Sequence, residues 1–410
     1  MRITDVEPIL LRGQEAYRAT EGSDEAVDNG DWQLLVKVTT DEGLTGWSDV
    51  ETLASAAMAC INGPGMSILG FRSLKDLLIG EAPLTDPERL WHKLYIGSCY
   101  YGRRGVALHC ISAIDNCLWS IRAQAAGVSL GELLHSSPHA PREDSISRSR
   151  PAERVPRRTM RVTAYASTLF RETPEAMFSA ARGYVERGFR AVKFGWGVFG
   201  EDPGRDLELV AAARQALGPE RDLMVDPGWY GAGWKGPWKP RTLEDNVRLC
   251  QSLGPYRVRW IEDFIHPELF DNYAAVRKAS PAPLAAGEQL GTIWDFERLI
   301  RGGCVDVVQP DLTRCGGLTV AMQVARLADA AGIDLVPHSW LTDLLTAYSL
   351  HLIGTLNRQQ FVEFNVAQSA LTRGVCCSAL SLNADGTVSI PQGVGLGVEV
   401  DEGFIAAHRV

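Results

Sequence analysis

The spacing of the hydrophobic positions divides the chain into regions. From residue 1 to residue 50, apolar and polar residues alternate with the period of two that is typical of strands, and four helical patterns follow up to residue 126. From residue 162 onward, short apolar runs alternate with helical patterns eight times. These alternations predict an α/β fold, a TIM-type (β/α)8 barrel modified by a C-terminal return, rather than a doubly wound sheet.

This pattern also predicts the domain organisation. Residues 1–135 are expected to form an N-terminal α+β capping domain, and residues 136–161 a linker, because Ser, Pro and Arg replace apolar residues there. Residues 162–380 would form the catalytic barrel, and residues 381–410 a C-terminal segment that packs back on the capping domain. The polar loop from Gly13 to Asp31 is either a substrate-contacting lid or the tip of a hairpin.

Composition and charge narrow the classes of function. The 410 residues carry 50 acidic and 41 basic side chains, and the net charge of −9 provides no basic surface for nucleic acid. No apolar run is long enough to span a membrane, and the N-terminus lacks the pattern of a signal peptide. We therefore expect a cytoplasmic protein whose partners include neither nucleic acid nor membrane. The nine cysteines show no paired metal spacing and are expected to be reduced.

Three carboxylates stand at the ends of consecutive predicted barrel strands. Asp226 ends Leu-Met-Val-Asp, Glu262 ends Arg-Trp-Ile-Glu and Glu288 ends Leu-Ala-Ala-Gly-Glu. A buried parallel strand is apolar on both faces, so charged last residues indicate a shared site at one rim of the barrel. Any one of them alone could pair with an arginine. Together, three oxygen ligands with room for water and substrate suit Mg²⁺, whereas bare carboxylates would repel one another.

The ends of four further predicted strands carry residues suited to acid–base chemistry. Asp311 ends strand six, where its carboxylate can accept one ring N–H of His338 on strand seven and raise the basicity of the other nitrogen. Lys193 ends strand two and requires an anionic partner inside a barrel, either a ligand carboxylate or the metal carboxylates. Glu363 ends strand eight and completes the ring. His338, Asp311 and Lys193 are therefore the predicted catalytic residues.

In combination, these strand ends resemble the mandelate racemase and muconate lactonizing enzyme branch of the enolase superfamily. The resemblance extends to Ser112–Ile121 in the predicted capping domain and to Asp385–Pro391 and Gly395–Glu399 near the C-terminus. It implies a capping domain on the barrel, one essential Mg²⁺ and abstraction of the proton α to a substrate carboxylate, with the metal stabilising an enediolate. It also favours a homo-oligomer, either a dimer or an octamer.

The resemblance assigns roles to individual residues. It implies metal ligation by Asp226, Glu262 and Glu288, a catalytic dyad of Asp311 and His338, a substrate contact for Glu363, and for Lys193 the first place in a Lys-x-Lys pair.

Two departures from the family pattern bear on the reaction. Gly195 stands where the second lysine of the pair is expected, so the base usually presented from that face is missing, which argues against two-base racemisation. After Glu262 the chain reads Asp-Phe-Ile-His, which makes His266 a candidate second acid or base. Trp196 and the aromatic residues of the loop after Asp226 either wall a sugar-like substrate or pack on one another.

The favoured function is a Mg²⁺-dependent acid-sugar dehydratase, a hydro-lyase acting on an aldonate or aldarate. In it, His338 would serve as base, as acid for the departing β-hydroxyl, or as both. The alternative is an epimerase or cycloisomerase on the same enediolate, with another base such as His266, Lys235 or Lys239. A non-catalytic family member would have no need of the carboxylates and the dyad. Candidate substrate-binding residues are Glu363, Lys193, Trp196 and His266.

Overall fold

The computed structural model describes residues 1–13, 32–65, 71–136, 160–229, 241–358, 361–367 and 369–410. Most of the predicted lid and of the predicted linker lies outside the described residues. The same holds for Lys235, Lys239 and the aromatic residues of their loop beyond Trp229. The division of the chain into the four predicted segments stays a prediction.

The described residues of the N-terminal part form a small sheet and five helices. Its antiparallel sheet has the order β1 (Ile3–Arg12), β2 (Trp32–Thr40), β3 (Thr45–Val50). The helices are α1 (Ala54–Asn62), α2 (Leu74–Leu78), α3 (Pro87–Gly97), α4 (Val106–Ala126) and α5 (Leu130–Ser136). The central helix, α4, is buried along most of its length and packs against β2 and β3. No helix in the described ranges is long and apolar enough to cross a membrane.

In the rest of the chain, as far as it is described, eight parallel strands alternate with helices, which confirms the predicted barrel fold. The strands are β4 (Arg161–Leu169), β5 (Ala191–Gly195), β6 (Asp222–Asp226), β7 (Ile261–Glu262), β8 (Leu284–Ala286), β9 (Val307–Val308), β10 (Asp334–Leu335) and β11 (Phe361–Asn365). The helices that follow them are α6 (Pro174–Glu186), α7 (Pro203–Leu217), α8 (Leu243–Leu253), α9 (Phe270–Ala279), α10 (Thr292–Arg301), α11 (Gly317–Ala331), α12 (Asp343–Gly354) and α13 (Ala370–Gly374).

The C-terminal segment contacts both parts of the molecule. Strand β12 (Thr387–Ser389) pairs antiparallel with β4, on the barrel. The last helix, α14 (Glu402–His408), precedes a contact with the N-terminal sheet, where the backbone N–H of Val410 donates to the carbonyl of Leu10 at 3.0 Å. The segment thus contacts both the barrel and the N-terminal sheet, and its predicted packing on a capping domain stays a prediction.

One helix begins later than its apolar pattern suggests. The pattern predicts a start at Leu341, but α12 begins at Asp343. The reason is local, because the hydroxyl of Thr342 accepts the backbone N–H of Leu344 at 3.1 Å and so caps the helix.

The barrel is closed between β10 and β11 by side chains. Backbone pairing runs continuously from β10 through β9, β8, β7, β6, β5 and β4 to β11, and no ladder joins β10 to β11 in the described ranges. Instead, Glu363 accepts the backbone N–H of Ser339 at 2.6 Å. The amide of Asn365 donates to the carbonyls of Trp340 at 3.1 Å and Leu341 at 3.2 Å. Polar residues at the end of β11 thus complete the barrel.

Side chains fill the barrel in layers that follow the period of two along each strand. The floor is a buried cluster with one residue from each strand or its immediate flank: Tyr165, Ala191, Met224, Trp260, Ala285, Val307, Val336 and Phe361. Two residues further along every strand, the same inward face carries Ser167, Lys193, Asp226, Glu262, Gly287, Gln309, His338 and Glu363. The polar residues therefore form a layer directly above a packed apolar floor.

Helix α4 of the N-terminal part caps barrel helix α11. The residue before α11 is Gly316, which has no side chain to provide a cap and lies at φ +117°. Three side chains of α4 accept the N–H groups at this helix start: Ser112 from Gly316 at 2.8 Å, Asn116 from Leu318 at 3.0 Å and Asp115 from Thr319 at 2.8 Å. This contact holds the barrel loop that starts at Asp311.

We expect Asp115→Ala to lower the free energy of unfolding by about 1–3 kcal/mol, because the buried N–H and hydroxyl of Thr319 lose their acceptor. Chemical denaturation measures the change. Glu208→Ala, an exposed position on α7, is the control and should change the stability by less than about 0.5 kcal/mol. Equal effects of both substitutions would show that the cap contributes nothing.

The effect of Asp115→Ala should also depend on pH. Burial raises the pKa of Asp115 in the folded protein to about 7, whereas an aspartate of an unfolded chain ionises near pH ~4. The folded state therefore holds the proton more tightly, and the contribution of Asp115 to stability falls as the pH rises between these two values. The difference between wild type and variant should be larger at about pH 5 than at about pH 8.

Candidate active site

Three predicted metal ligands meet at the rim of the barrel. One oxygen from each of Asp226, Glu262 and Glu288 lies within 4.8 Å of the other two, and all three residues are buried. The backbone N–H of Gly228 donates to Asp226 Oδ1 at 3.2 Å, and the indole N–H of Trp260 donates to Glu262 Oε2 at 2.8 Å. These bonds fix the direction of two carboxylates.

The donor set fits Mg²⁺. Burial raises the pKa of Asp226 well above its usual value; Lys193 opposes this shift, and the charge of Glu262 adds to it. Buried carboxylates that repel one another are stabilised by a hard cation, and three oxygen ligands leave positions for water and substrate. Asp226, Glu262 and Glu288 would therefore hold the metal.

Lys193 is an ammonium group fixed between carboxylates. Its Nζ contacts Glu262 and lies 2.9 Å from Glu363 Oε1 and 3.7 Å from Asp226 Oδ2. Burial alone would lower the pKa of Lys193, but Glu262 and Glu363 overcome this effect and raise it well above its usual value. Lys193 thus contacts carboxylates of the protein, one of the two kinds of partner expected from the sequence, and it is poorly suited to accept a proton.

Glu363 holds Lys193 through an ion pair. Its Oε1 accepts the hydroxyl of Ser167 at 2.6 Å, and its Oε2 accepts the backbone N–H of Ser339. Burial would raise the pKa of Glu363, but Lys193 and His338 hold it at about 2. Each oxygen thus already has a protein partner, and the contact of Glu363 with substrate stays a prediction.

His338 and Asp311 form the predicted pair. His338 Nδ1 lies 2.6 Å from Asp311 Oδ2, and Asp311 Oδ1 accepts the N–H and hydroxyl of Thr313, both at 2.6 Å. Burial would raise the pKa of Asp311, but the hydrogen bond with His338 keeps it at about 2. An ionised Asp311 requires a proton on Nδ1, so Nε2 is the nitrogen left for proton transfer.

The other nitrogen of His338 faces a predicted metal ligand. Nε2 lies 3.1 Å from Glu288 Oε2. Burial would lower the pKa of His338, but Glu288, Glu363 and Asp311 raise it well above its usual value. Glu288 therefore connects the carboxylate triad to the candidate base, and its contact with Nε2 must open before Nε2 can reach a substrate.

Glu51 and Arg314 join the site without having been predicted from the sequence. Glu51 directly follows β3 and pairs through Oε1 with Arg314 at 2.5 Å, while Arg314 also lies 3.6 Å from Glu288 Oε1. Burial raises the pKa of Glu51, and Arg314 opposes the shift. A charged residue at the end of an apolar strand marks the barrel carboxylates in the sequence, and Glu51 stands in such a position directly after β3. Arg314 stands in a loop, where the sequence pattern does not mark it.

A second acidic group lies beside the triad. Ligand atoms of Glu51, Asp311 and His338 also fall within 4.8 Å of one another. In this group, Asp311 is already bonded to His338 and Thr313, and Arg314 neutralises Glu51. The all-carboxylate triad therefore fits Mg²⁺ better.

The two aromatic candidates for substrate binding pack on neighbouring loops. Trp196, at φ +47°, lies against Gly228, where an added β-carbon would meet its ring at 2.9 Å. His266 accepts the backbone N–H of Glu268 at 3.2 Å and makes an edge contact with Trp229, with ring centroids 4.9 Å apart. These contacts favour packing for both side chains, and their contact with substrate stays a prediction.

Gly195 has a steric reason to lack a side chain. A β-carbon at this position would lie 2.8 Å from Asp226 Oδ2 and 3.0 Å from Asp226 Cβ. Strand pairing places the two residues side by side on β5 and β6. The site of the missing lysine is therefore filled by a predicted metal ligand, and a side chain there would have to displace Asp226.

Comparison with known families agrees with this geometry. Residues 28–135 match the mandelate racemase / muconate lactonizing enzyme N-terminal domain, and residues 176–404 match the enolase C-terminal domain-like family. The chain belongs to the enolase superfamily. Within that superfamily it falls in the mandelate racemase and muconate lactonizing enzyme group, as its strand ends indicate.

Three relatives span nearly the whole of this enolase-superfamily chain. A D-galactarolactone cycloisomerase of Agrobacterium fabrum is 28% identical over 391 residues, covering 92% of this chain and 91% of its own. A D-galactonate dehydratase of Ralstonia pickettii is 27% identical, with coverage of 91% and 90%. The crystal structure of the 3,6-anhydro-D-galactonate cycloisomerase from Zobellia galactanivorans is 26% identical, with full coverage of both chains and a TM-score of 0.80.

Glu262→Gln should reduce the affinity for Mg²⁺ by at least about tenfold, because the amide keeps the shape of the side chain but removes a charged ligand. The rise in melting temperature on titration with MgCl₂ measures this affinity. Glu51→Gln is the matched control and should keep the wild-type response. A loss of affinity in Glu51→Gln alone would assign the metal to the group with Asp311 and His338.

Gly195→Ala should also weaken Mg²⁺ binding, since its methyl group pushes on Asp226. Gly183→Ala on α6, where an added β-carbon has open space, is the control and should raise stability by about 0.5–1 kcal/mol. The same MgCl₂ titration applies. Unchanged affinity in Gly195→Ala would show that Asp226 can move aside without consequence.

Proposed function

We propose that this protein catalyses β-elimination from an acid sugar: it removes the proton α to the carboxylate and expels the oxygen on the next carbon. The observation that carries the proposal is the His338–Asp311 pair, the one such pair facing the carboxylate triad among the described residues, with Gly195 packed on Asp226 where a second base would stand. Racemisation needs proton donors and acceptors on both faces of the carbon, whereas elimination can use one group twice.

The residues of the chain account for each proton. Nε2 of His338 takes the α-proton, and the C–H electron pair enters the enediolate of the substrate. Asp311 stabilises the imidazolium that forms. As the β-carbon–oxygen bond breaks, Nε2 returns the proton to the departing oxygen, and the enol product becomes a 2-keto-3-deoxy acid. When bound, Mg²⁺ would neutralise charge on the substrate carboxylate as a Lewis acid.

The favoured leaving group is a hydroxyl, which makes the enzyme a dehydratase and hydro-lyase. An open-chain aldonate or aldarate supplies that hydroxyl, and the similarity to the D-galactonate dehydratase of Ralstonia pickettii supports this substrate class. The ammonium group of Lys193 lies beside the metal-binding triad, so the positive charges of lysine and bound metal would be close together. This arrangement suits a substrate with a single reacting carboxylate.

A cycloisomerase is the second candidate, because two relatives, one acting on D-galactarolactone and one on 3,6-anhydro-D-galactonate, are named cycloisomerases. If the oxygen on the β-carbon belongs to a ring, the same elimination opens the ring and no water leaves. Unlike an epimerase, such an enzyme needs no second base, so the requirement for another base expected from the sequence does not apply to it. An epimerase has less support, since His266 packs on Trp229.

The experiment is an assay of D-galactonate, D-galactarolactone and 3,6-anhydro-D-galactonate with Mg²⁺, with detection of 2-keto acids. Mass spectrometry separates the candidates, because a dehydratase product lacks one water and a cycloisomerase product has the mass of its substrate. Interconversion of epimers without a keto product would overturn the proposal. Assembly as a dimer or octamer and a cytoplasmic location stay predictions.

His338→Asn should abolish both product formation and exchange of the α-proton with solvent deuterium, because the amide cannot take a proton near neutral pH. Asp311→Asn should slow the same step through loss of the fixed tautomer while Mg²⁺ binding persists. NMR in D₂O measures the exchange, and His92→Asn, an exposed position on α3, is the control. Continued exchange in His338→Asn would place the base elsewhere.

A further inference from the structure

Gln309 is a buried residue of the polar layer that the proposed mechanism does not use. It follows β9 and is 1% exposed, with its backbone N–H bonded to the carbonyl of Ala286 at 3.0 Å. It stands two residues after Val307 of the floor, so its side chain shares the inward face of the barrel. Neither its Oε1 nor its Nε2 has a hydrogen-bond partner within the described part of the chain.

An unpartnered buried amide is costly, which sets Gln309 apart from its neighbours. Burying an amide without hydrogen bonds destabilises the folded state, and nearly all buried polar groups in proteins are paired. The neighbouring polar members of this layer have partners: Ser167, Lys193, Asp226, Glu262, His338 and Glu363. A leucine would occupy a similar volume without that cost. The amide therefore points to a ligand.

The position of Gln309 indicates where that ligand enters. Its strand lies between β8, which leads to Glu288, and β10, which leads to His338. Gly287, the neighbour of Gln309 on the β8 side, contributes no side chain. The contact between Glu288 and His338 spans these strands and must open for proton transfer. A substrate that separates these two side chains would enter beside the strand end that carries Gln309.

We propose that Gln309 is a substrate-positioning residue that binds a hydroxyl group of the acid sugar close to the reacting carbons, a proposal that rests on the proposed function. The amide accepts through Oε1 and donates through Nε2, which complements a hydroxyl that both donates and accepts. A second carboxylate would use only the N–H groups and would meet the negative charges of Glu262 and Glu288. A hydroxyl is therefore the matching group.

The test compares wild type and Gln309→Leu, each loaded with Mg²⁺, on D-galactonate and on analogues that lack one hydroxyl at a time. We expect Gln309→Leu to lower kcat/KM for D-galactonate by about tenfold, the value of one hydrogen bond. On the analogue that lacks the bound hydroxyl, both proteins should have equal kcat/KM. Without ligand, the melting temperature of Gln309→Leu should equal or exceed that of the wild type.

Gln33→Leu is the matched control for a buried glutamine that is paired. Its amide donates to Asp49 Oδ1 at 3.1 Å and to the carbonyl of Leu34 at 3.2 Å, so its loss should lower the melting temperature. A fall of similar size in Gln309→Leu, or an equal loss of kcat/KM on every analogue, would make Gln309 structural and overturn the assignment. A fall in Mg²⁺ affinity would make it a metal ligand instead and also overturn it.

Turnover by the wild type tests the proposed function, and the ratio between the two proteins tests Gln309. If the wild type turns over none of these acids, stabilisation of the Mg²⁺-loaded proteins by D-galactonate replaces turnover as the readout. Weaker stabilisation of Gln309→Leu would then support the role of Gln309. Equal stabilisation of both proteins would overturn it.

Discussion

The barrel mouth buries more negative than positive charge, and this imbalance governs the site. Among the described residues, the cations of Lys193 and Arg314 contact its carboxylates, and the imidazole of His338 adds a positive charge only when it is protonated. Lys193 and His338 keep the pKa of Glu363 at about 2, but the pKa of Asp226 stays well above its usual value. Buried carboxylates need compensation by paired charge or metal. At the triad, the cations of the protein do not balance the negative charge of the carboxylates, and a bound divalent cation would balance it.

The N-terminal part makes hydrogen bonds to the starts of α11 and α12, the two barrel helices that follow Asp311 and His338. Helix α4 caps α11, which begins a few residues after Asp311. Asp49 of β3 accepts the hydroxyl of Thr342 and the N–H of Leu345, both at 3.0 Å, and so holds the start of α12 after His338. Glu51, two residues further on, pairs with the loop residue Arg314. Position of the dyad therefore depends on contacts between the two parts of the chain, and the motif from Ser112 to Ile121 supplies several of them.

The sequence predicts the barrel and the charged strand ends, because alternation of period two and apolar runs is local information. The meeting of Asp226, Glu262 and Glu288 follows from topology alone, since consecutive parallel strands end at one rim. Glu51 and Arg314 could not be placed in this way, because their contact joins distant segments across the two parts of the chain. Gln309 is likewise recognisable only from three-dimensional structure, because a sequence cannot show that its buried amide has no hydrogen-bond partner among the described residues.

The close approach of Gly195 to Asp226 links metal binding to the outcome of the reaction. A side chain at position 195 would enter the space of a predicted metal ligand. The barrel therefore presents a carboxylate on the side where a lysine would otherwise stand, and His338 is left to transfer protons from the opposite side of the same rim. With one such group, the enediolate can lose an oxygen substituent or regain a proton on the face from which the first was taken. Which acid is consumed then depends on the leaving oxygen, whether hydroxyl or ring, and on the polar groups that hold the sugar chain.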